Sequence, residues 1–273
     1  MHLPQQKPDR FGPSNHLEEK KRKRKRKRLD LLLFERGLAE SRQKAAVMVL
    51  GGMVRVDEAP CTKAGMMVDE SALIEVEADE RYASRGALKL RGAARSFGVQ
   101  FSGKVTMDVG CSTGGFTDYM LREGASRVYC IDVGYGQLDF RLRQDPRVRL
   151  LEKTNIRLLE RNAIPEEIDL ATIDVSFISL KLVLPRVAGF LKPGGEALAL
   201  VKPQFEVGKG EVGKGGVVRS PAKREKAVLH VSHAAREAGF ELLGVHECEV
   251  HGRKKGNIEY FIYLRKAKDN PGV

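Results

Sequence analysis

The spacing of apolar residues divides the chain into three stretches. The first 27 residues show no apolar period, hold three of the eleven prolines and end in a basic run, so 1–27 is expected to be a disordered tail. From Arg28 onward, Leu29, Leu32, Leu33, Leu38, Ala45, Ala46, Val49 and Leu50 recur at helical spacings. Gly37 interrupts the series, and Ser41 stands where a second helix needs an N-cap. Residues 53–56 and 72–77 read as short strands, with Gly51 and Gly52 forming the turn before the first. Two short helices and a small sheet predict one compact α+β module over 28–80.

Past Tyr82 the unit becomes strand, glycine turn and helix, repeated. Strands are predicted at 105–109, 128–132, 148–151, 170–174 and 197–202, and helices at 116–123, 178–190 and 222–238. Two further strands, 241–249 and 257–264, close a domain spanning 81–268, and 269–273 is a second tail. This alternation predicts an α/β fold: a mostly parallel, Rossmann-like sheet covered on both faces.

Charge adds a partner class. The net charge of the 273 residues is +12, but the run at 20–28, KKRKRKRKR, supplies nine positive charges, leaving about +3 for the rest. Such a run is a solvated extension or an electrostatic arm for a polyanion, and its pattern also suits a nuclear address. Aromatic residues make up 6% and Trp is absent, so recognition by charge and shape is favoured over an aromatic stacking sheet. The four cysteines, Cys61, Cys111, Cys130 and Cys248, form no C-x-x-C pair, which argues against a zinc site or a disulfide framework and fits a reducing cytosol. His230 and His233 stand three apart on an inferred helix without a completing ligand, so no metal is expected. No apolar run approaches the length of a membrane span and no signal-peptide core is visible, predicting a soluble cytoplasmic protein.

The densest chemistry lies at Met107-Asp108-Val109-Gly110-Cys111-Ser112-Thr113-Gly114-Gly115-Phe116, between an apolar strand and a helix. Gly110 permits a tight turn at the strand's carboxyl end, where open α/β sheets bind ligands. Gly114 and Gly115 let backbone approach a ligand closely. Asp132 ends the next strand about 20 residues on, where a carboxylate can accept from both ribose hydroxyls of a nucleoside cofactor. The G-x-x-x-G-G spacing does not match the dinucleotide fingerprint, favouring S-adenosylmethionine over a nicotinamide cofactor. Asn155, after the third strand, is a candidate adenine contact or an ordinary turn residue. The segment 208–215 carries a G-x-x-x-x-G-K frame, but Gly215 stands where Ser or Thr must hold magnesium, so it reads as a mobile basic loop near substrate.

Four segments carry a family resemblance: the loop D-V-G-C-S-T-G-G-F-T-D, S-R-G-A-L-K-L at 84–90, I-D-V-S-F-I-S-L at 173–180 and V-K-P-Q-F-E at 201–206. With G-K-G-G-V-V-R at 213–219, they resemble TlyA-type proteins, whose catalytic part is an FtsJ-like methyltransferase domain. The N-terminal module resembles the alpha-L RNA-binding fold through R-L-D-L-L-L, G-L-A-E-S-R and G-G-M-V-R-V. The resemblance implies ribose 2′-O methylation of ribosomal RNA, with a cytidine as acceptor. It also implies a lysine–aspartate–lysine–glutamate tetrad at Lys89, Asp174, Lys202 and Glu259. RNA contacts are implied at Arg28, Arg42, Gln43 and Lys44.

A ribose hydroxyl is a poor nucleophile that must be aimed at the methyl group while losing its proton. Lys202 is the candidate to orient that oxygen, either taking its proton when neutral or, when charged, stabilising a developing alkoxide. The implied partners are ribosomal RNA or ribosomal subunits, with no membrane and no obligate protein partner. The two domains are expected to clamp RNA about a hinge at 78–90, so that deleting 28–77 removes RNA methylation and spares cofactor affinity. The competing readings are a non-catalytic RNA-binding assembly factor and a membrane-active haemolysin.

Overall fold

The computed structural model describes residues 25–39, 41–76, 82–208, 210–213, 215–248 and 256–268. Residues 1–24 of the tail expected at 1–27, and the tail expected at 269–273, lie outside these residues. The basic run, however, ends inside the fold. Strand β1 (Arg26–Arg28) pairs antiparallel with β4 (Met67–Asp69), so the first module begins before Arg28. Lys27 explains the early start: its ammonium lies 2.7 Å from Glu35 and 3.5 Å from Glu70, tying the strand to the module by charge.

Helices α1 (Leu29–Glu35) and α2 (Arg42–Leu50) fall where the apolar spacing put them, and Ser41 Oγ accepts from Lys44 N as the predicted N-cap. Strands β2 (Val54–Val56), β3 (Ala59–Cys61) and β5 (Ile74–Val76) form a three-stranded sheet, β2 in the middle. Leu29, Leu33, Ala45, Val49 and Val54 are fully buried between helices and sheet. β3 and β4 escape the sequence reading because Ala-Pro-Cys carries a proline and Met-Val-Asp runs into an acid, so neither shows a β-branched alternating run.

The second domain holds a seven-stranded sheet. Its strands are β6 (Val105–Val109), β7 (Arg127–Ile131), β8 (Val148–Leu151), β9 (Ile168–Ile173), β10 (Leu191–Val201), β11 (Phe240–Glu247) and β12 (Tyr260–Lys266). Their spatial order is β11-β12-β10-β9-β6-β7-β8. All run parallel except β12, which is inserted antiparallel between β10 and β11. Period-two alternation separates two faces. Met107 and Val109 face α6 (Leu184–Phe190) and α8 (Pro221–Glu237) in one core, whereas Val128, Cys130 and Leu170 face α3 (Gly86–Phe97), α4 (Gly115–Arg122) and α5 (Phe140–Gln144) in the other. Each such fully buried apolar side chain contributes about 1.5–3 kcal/mol.

Two expectations need correction. The hinge does not reach residue 90, because α3 starts at Gly86. Its buried face is made of Leu90 and three alanines, Ala87, Ala93 and Ala94, and with one large apolar residue and two glycines the helical period is weak. The single helix expected over 178–190 is instead a 3-10 turn at Leu180–Leu182 followed by α6, with Pro185 in the first turn of α6.

Candidate active site

The register of the sheet brings the four implied tetrad residues to one edge. Ile173 of β9 pairs with Ala199 of β10, so Asp174 and Lys202 emerge side by side at the carboxyl ends of parallel neighbours. β12 runs the other way and pairs Tyr260 with Val201, which puts Glu259 at the same edge. Lys89 arrives from the first turn of α3. Its Nζ donates to Glu259 Oε2 at 2.6 Å, and Lys202 Nζ lies 2.5 Å from Asp174 Oδ1 in an ion contact without hydrogen-bond alignment. Lys202 Nζ also donates to Ser176 Oγ at 3.0 Å.

These charges reinforce one another. Burial works against charge on Lys89, but Glu259 and Asp174 outweigh it and hold its pKa above the ordinary lysine value. Burial likewise opposes charge on Asp174, yet Lys202 and Lys89 outweigh it and keep the carboxyl below its ordinary range. The result is a compact, partly desolvated set of two cations and two anions.

The glycine loop adjoins this set. Gly110 takes φ 86°, and a Cβ there would sit 2.4 Å from the carbonyl oxygen of Asp174. Gly114 takes φ 92°, with Leu142 and Leu138 packed where a side chain would go. Ser112 N donates to Asp132 Oδ2 at 2.8 Å and Gly134 N to its Oδ1 at 2.7 Å, so Asp132 ties the loop to the end of β7. Thr113 is buried, and its carbonyl accepts from Asp139 N at 3.2 Å. Gly115 opens α4, and Phe116 packs into the core against Phe261 at 5.9 Å between ring centroids. A cavity of about 370 Å³ lies over the loop, with Lys89 and Asp174 on one side and Leu50, Gly51 and Gly52 of the first module on another.

Other expected contacts are placed differently. Asn155 is exposed, caps the 3-10 turn Ile156–Leu158 through Arg157 N at 3.0 Å, and does not line that cavity. Arg28 and Arg42 converge on the buried carboxylate of Asp30, at 2.9 and 3.2 Å, while about half of each side chain stays open to solvent. The Arg28 guanidinium, hydrogen-bonded to Asp30, is the main cause of that carboxyl's lowered pKa. Gln43 is exposed, and Lys44 crosses to the second domain to meet Asp139 at 3.1 Å. His230 and His233 are exposed on α8.

Asp108 is wholly buried under the loop, because period two turns it toward α4. Thr117 Oγ1 donates to Oδ2 at 2.6 Å and Thr172 Oγ1 to Oδ1 at 3.2 Å. Burial dominates those bonds and pushes its pKa up to about 7. A carboxyl whose folded pKa is raised binds its proton more tightly in the native state. Stability therefore falls as pH rises from about 4 through about 7, and is level above that. Asp108→Asn, which can keep both threonine contacts, is expected to flatten the dependence of melting temperature on pH between pH 5 and pH 8. An unchanged slope would show that Asp108 is not its source.

Several neighbours were not anticipated. Glu206 is buried and accepts from Ser179 Oγ at 2.6 Å and Leu180 N at 2.9 Å, binding the loop after β9 to α7 (Pro203–Glu206). Phe177 is 91% exposed, takes φ 63° and lies 5.0 Å from the ring of Phe205. A bulky residue in that backbone region marks strain held by its surroundings. The only sequence signal was an aromatic three residues past the strand-end acid.

Comparison with known proteins agrees with this architecture. Residues 82–266 match the family model of FtsJ-like methyltransferases, and residues 27–74 match the S4 domain. The chain is 46% identical over 244 residues to the 16S/23S rRNA (cytidine-2′-O)-methyltransferase TlyA of Mycobacterium tuberculosis, covering 89% of this chain and 91% of that one. It is 36% identical over 238 residues to Hemolysin A of Brachyspira hyodysenteriae, covering 87% and 99%. A solved structure from Streptococcus thermophilus, provisionally named a hemolysin, superimposes with a TM-score of 0.70 at 41% identity and covers 90% of each chain. No helix among the described residues is long and apolar enough to cross a membrane. The chain belongs to the FtsJ-like methyltransferase family, among members that carry an S4 domain ahead of the catalytic sheet.

Proposed function

We propose that this chain transfers a methyl group from S-adenosylmethionine to the 2′-hydroxyl of a cytidine in ribosomal RNA, in the cytoplasm. The observation that carries the reading is the paired set Lys89–Glu259 and Lys202–Asp174 beside the glycine loop. The activity named for the Mycobacterium tuberculosis relative supports the substrate.

The loop suits the cofactor. Its cavity of about 370 Å³ falls in the roughly 300–1,000 Å³ range of ligand pockets. Gly110, Ser112, Thr113 and Gly115 line it, while Gly114 is packed against Leu138 and Leu142 and keeps the loop in its tight turn. Asp132 does not line that cavity but holds the loop's shape by accepting from Ser112 N and Gly134 N, and the lone pairs left on its carboxylate are its means of reaching ribose hydroxyls. Asn155 would meet the adenine end only by giving up its cap. When bound, S-adenosylmethionine supplies an electrophilic methyl group on a positively charged sulfur.

The protein's own part is aim and electrostatics. Lys202, held by Asp174 and Ser176, directs an N–H at the 2′-oxygen and stabilises the negative charge that grows there as the hydroxyl proton passes to water and the methyl group bonds to oxygen. Lys89, kept charged by Glu259, adds a second positive group behind the reacting oxygen. Phe177 offers an open ring on which a base can stack. Arg28, Arg42 and Gln43 hold RNA at a distance from the chemistry through the S4 domain.

The test is transfer of labelled methyl groups from S-adenosylmethionine to purified ribosomal subunits and to naked ribosomal RNA. Label in ribose supports the assignment. No label despite measurable cofactor binding would favour a non-catalytic RNA-binding role. Deleting residues 28–77 is expected to abolish RNA methylation. Because Leu50, Gly51 and Gly52 wall the cavity, calorimetry should also find weaker cofactor binding, contrary to the expectation from sequence.

A further inference from the structure

We infer that the cleft between α2 and the segment 135–143 is a second RNA subsite, holding an unpaired nucleotide a few positions from the methylated one. This rests on the RNA-methylating reading above. The cleft encloses about 710 Å³ and is separate from the cavity over the glycine loop. Gln43 and Lys44 form one wall, and Tyr135, Phe140 and Arg141 the other.

Three features point to RNA. The first is the aromatic surface. Tyr135 and Phe140 are each 70% exposed, and with Phe177 at 91% they are the most exposed aromatic rings among the described residues. In a chain with few aromatics, two exposed rings lining one cleft offer surfaces on which a base can stack, since every base presents a π-face. The second is charge. Lys44 and Arg141 share the single carboxylate of Asp139 at 3.1 and 3.2 Å, leaving one positive charge uncompensated. Lys153 adds another, its ammonium 4.5 Å from the centre of the Tyr135 ring. A base on the rings and a phosphodiester on the surplus charge match both.

The third feature is continuity. Helix α2 begins at the cleft with Gln43 and Lys44 and ends at the glycine-loop cavity with Leu50. Its nine residues span about 13 Å, the reach of a short single strand laid along the helix. The Lys44–Asp139 bridge ties the walls together and sets the width of the slot. It also explains why Lys44, expected to point at RNA, is turned toward the second domain.

The experiment compares Tyr135→Ala, Phe140→Ala and the double variant with the wild-type chain. Binding of a labelled ribosomal RNA fragment is read by anisotropy, S-adenosylmethionine affinity by calorimetry and methyl transfer by label. Each single variant is expected to weaken RNA binding about tenfold and raise KM for RNA by a similar factor, with cofactor affinity unchanged. Wild-type RNA binding in the double variant would overturn the subsite. Cofactor affinity falling in step with RNA affinity would assign the rings to the cofactor and overturn it equally. A wild-type chain that neither binds nor methylates RNA would sink the functional reading first and this inference with it.

Discussion

Lys202→Ala is expected to lower methyl transfer by about 10³-fold or more while S-adenosylmethionine affinity stays within a few-fold of wild type. The separation follows from geometry. Lys202 faces Asp174 and Ser176, and neither it nor its partners' side chains support the backbone of the glycine loop. Removing the ammonium takes away the group that aims the hydroxyl and leaves the Asp174 carboxylate unpaired beside the reacting oxygen, which adds repulsion to lost attraction. Lys202→Arg should not restore the rate, because a planar guanidinium cannot occupy the ammonium's place between Asp174 and Ser176. The decisive comparison is single-turnover label transfer alongside calorimetric cofactor binding. Near-wild-type turnover in Lys202→Ala would remove this lysine from the chemistry.

Gly110→Ala is expected to produce the opposite signature, loss of cofactor binding together with stability. The new Cβ would fall 2.4 Å from the Asp174 carbonyl, a backbone atom that cannot swing aside, and φ 86° is itself unfavourable for alanine. A cost of about 2–4 kcal/mol is anticipated, read as a clear drop in melting temperature. Relief of the clash can come only by lifting the glycine loop or displacing the β9 strand end, and both carry the site. A variant that melts and binds cofactor like wild type would mean that the loop is not packed as described.

The sheet was largely legible because its strands are apolar, short and punctuated by glycine. β6 and β8 fall where the pattern put them, since Met107, Val109 and Val148 sit in plain alternation or apolar runs. The tetrad was legible through motif resemblance, and the register of β9, β10 and β12 explains why residues so distant in sequence meet. What stayed hidden was of three kinds. The buried face of α3, Leu90 among three alanines, conceals its period. The carboxylate of Glu206 gives no sequence sign that it will be buried. The rings of Tyr135, Phe140 and Phe177 look like ordinary core candidates until their exposure is known. Lys44 and Asn155 show the reverse limit, for a charged or capping residue can be identified by type and still be engaged elsewhere by tertiary contacts.

The placement of β12 has a consequence for how the protein acquires activity. The Lys89–Glu259 contact joins residues 170 positions apart, and β12 must enter between β10 and β11 before it can form. Closing so long a loop is entropically slow, and contacts of this separation are the late events of folding. The backbone of the glycine loop is anchored on β6, β7 and β9 and on the segment 138–142, without the Lys89–Glu259 contact, and can be in place earlier. On refolding from denaturant, affinity for the cofactor should therefore return in an earlier kinetic phase, with methyl transfer recovering only when the sheet is complete.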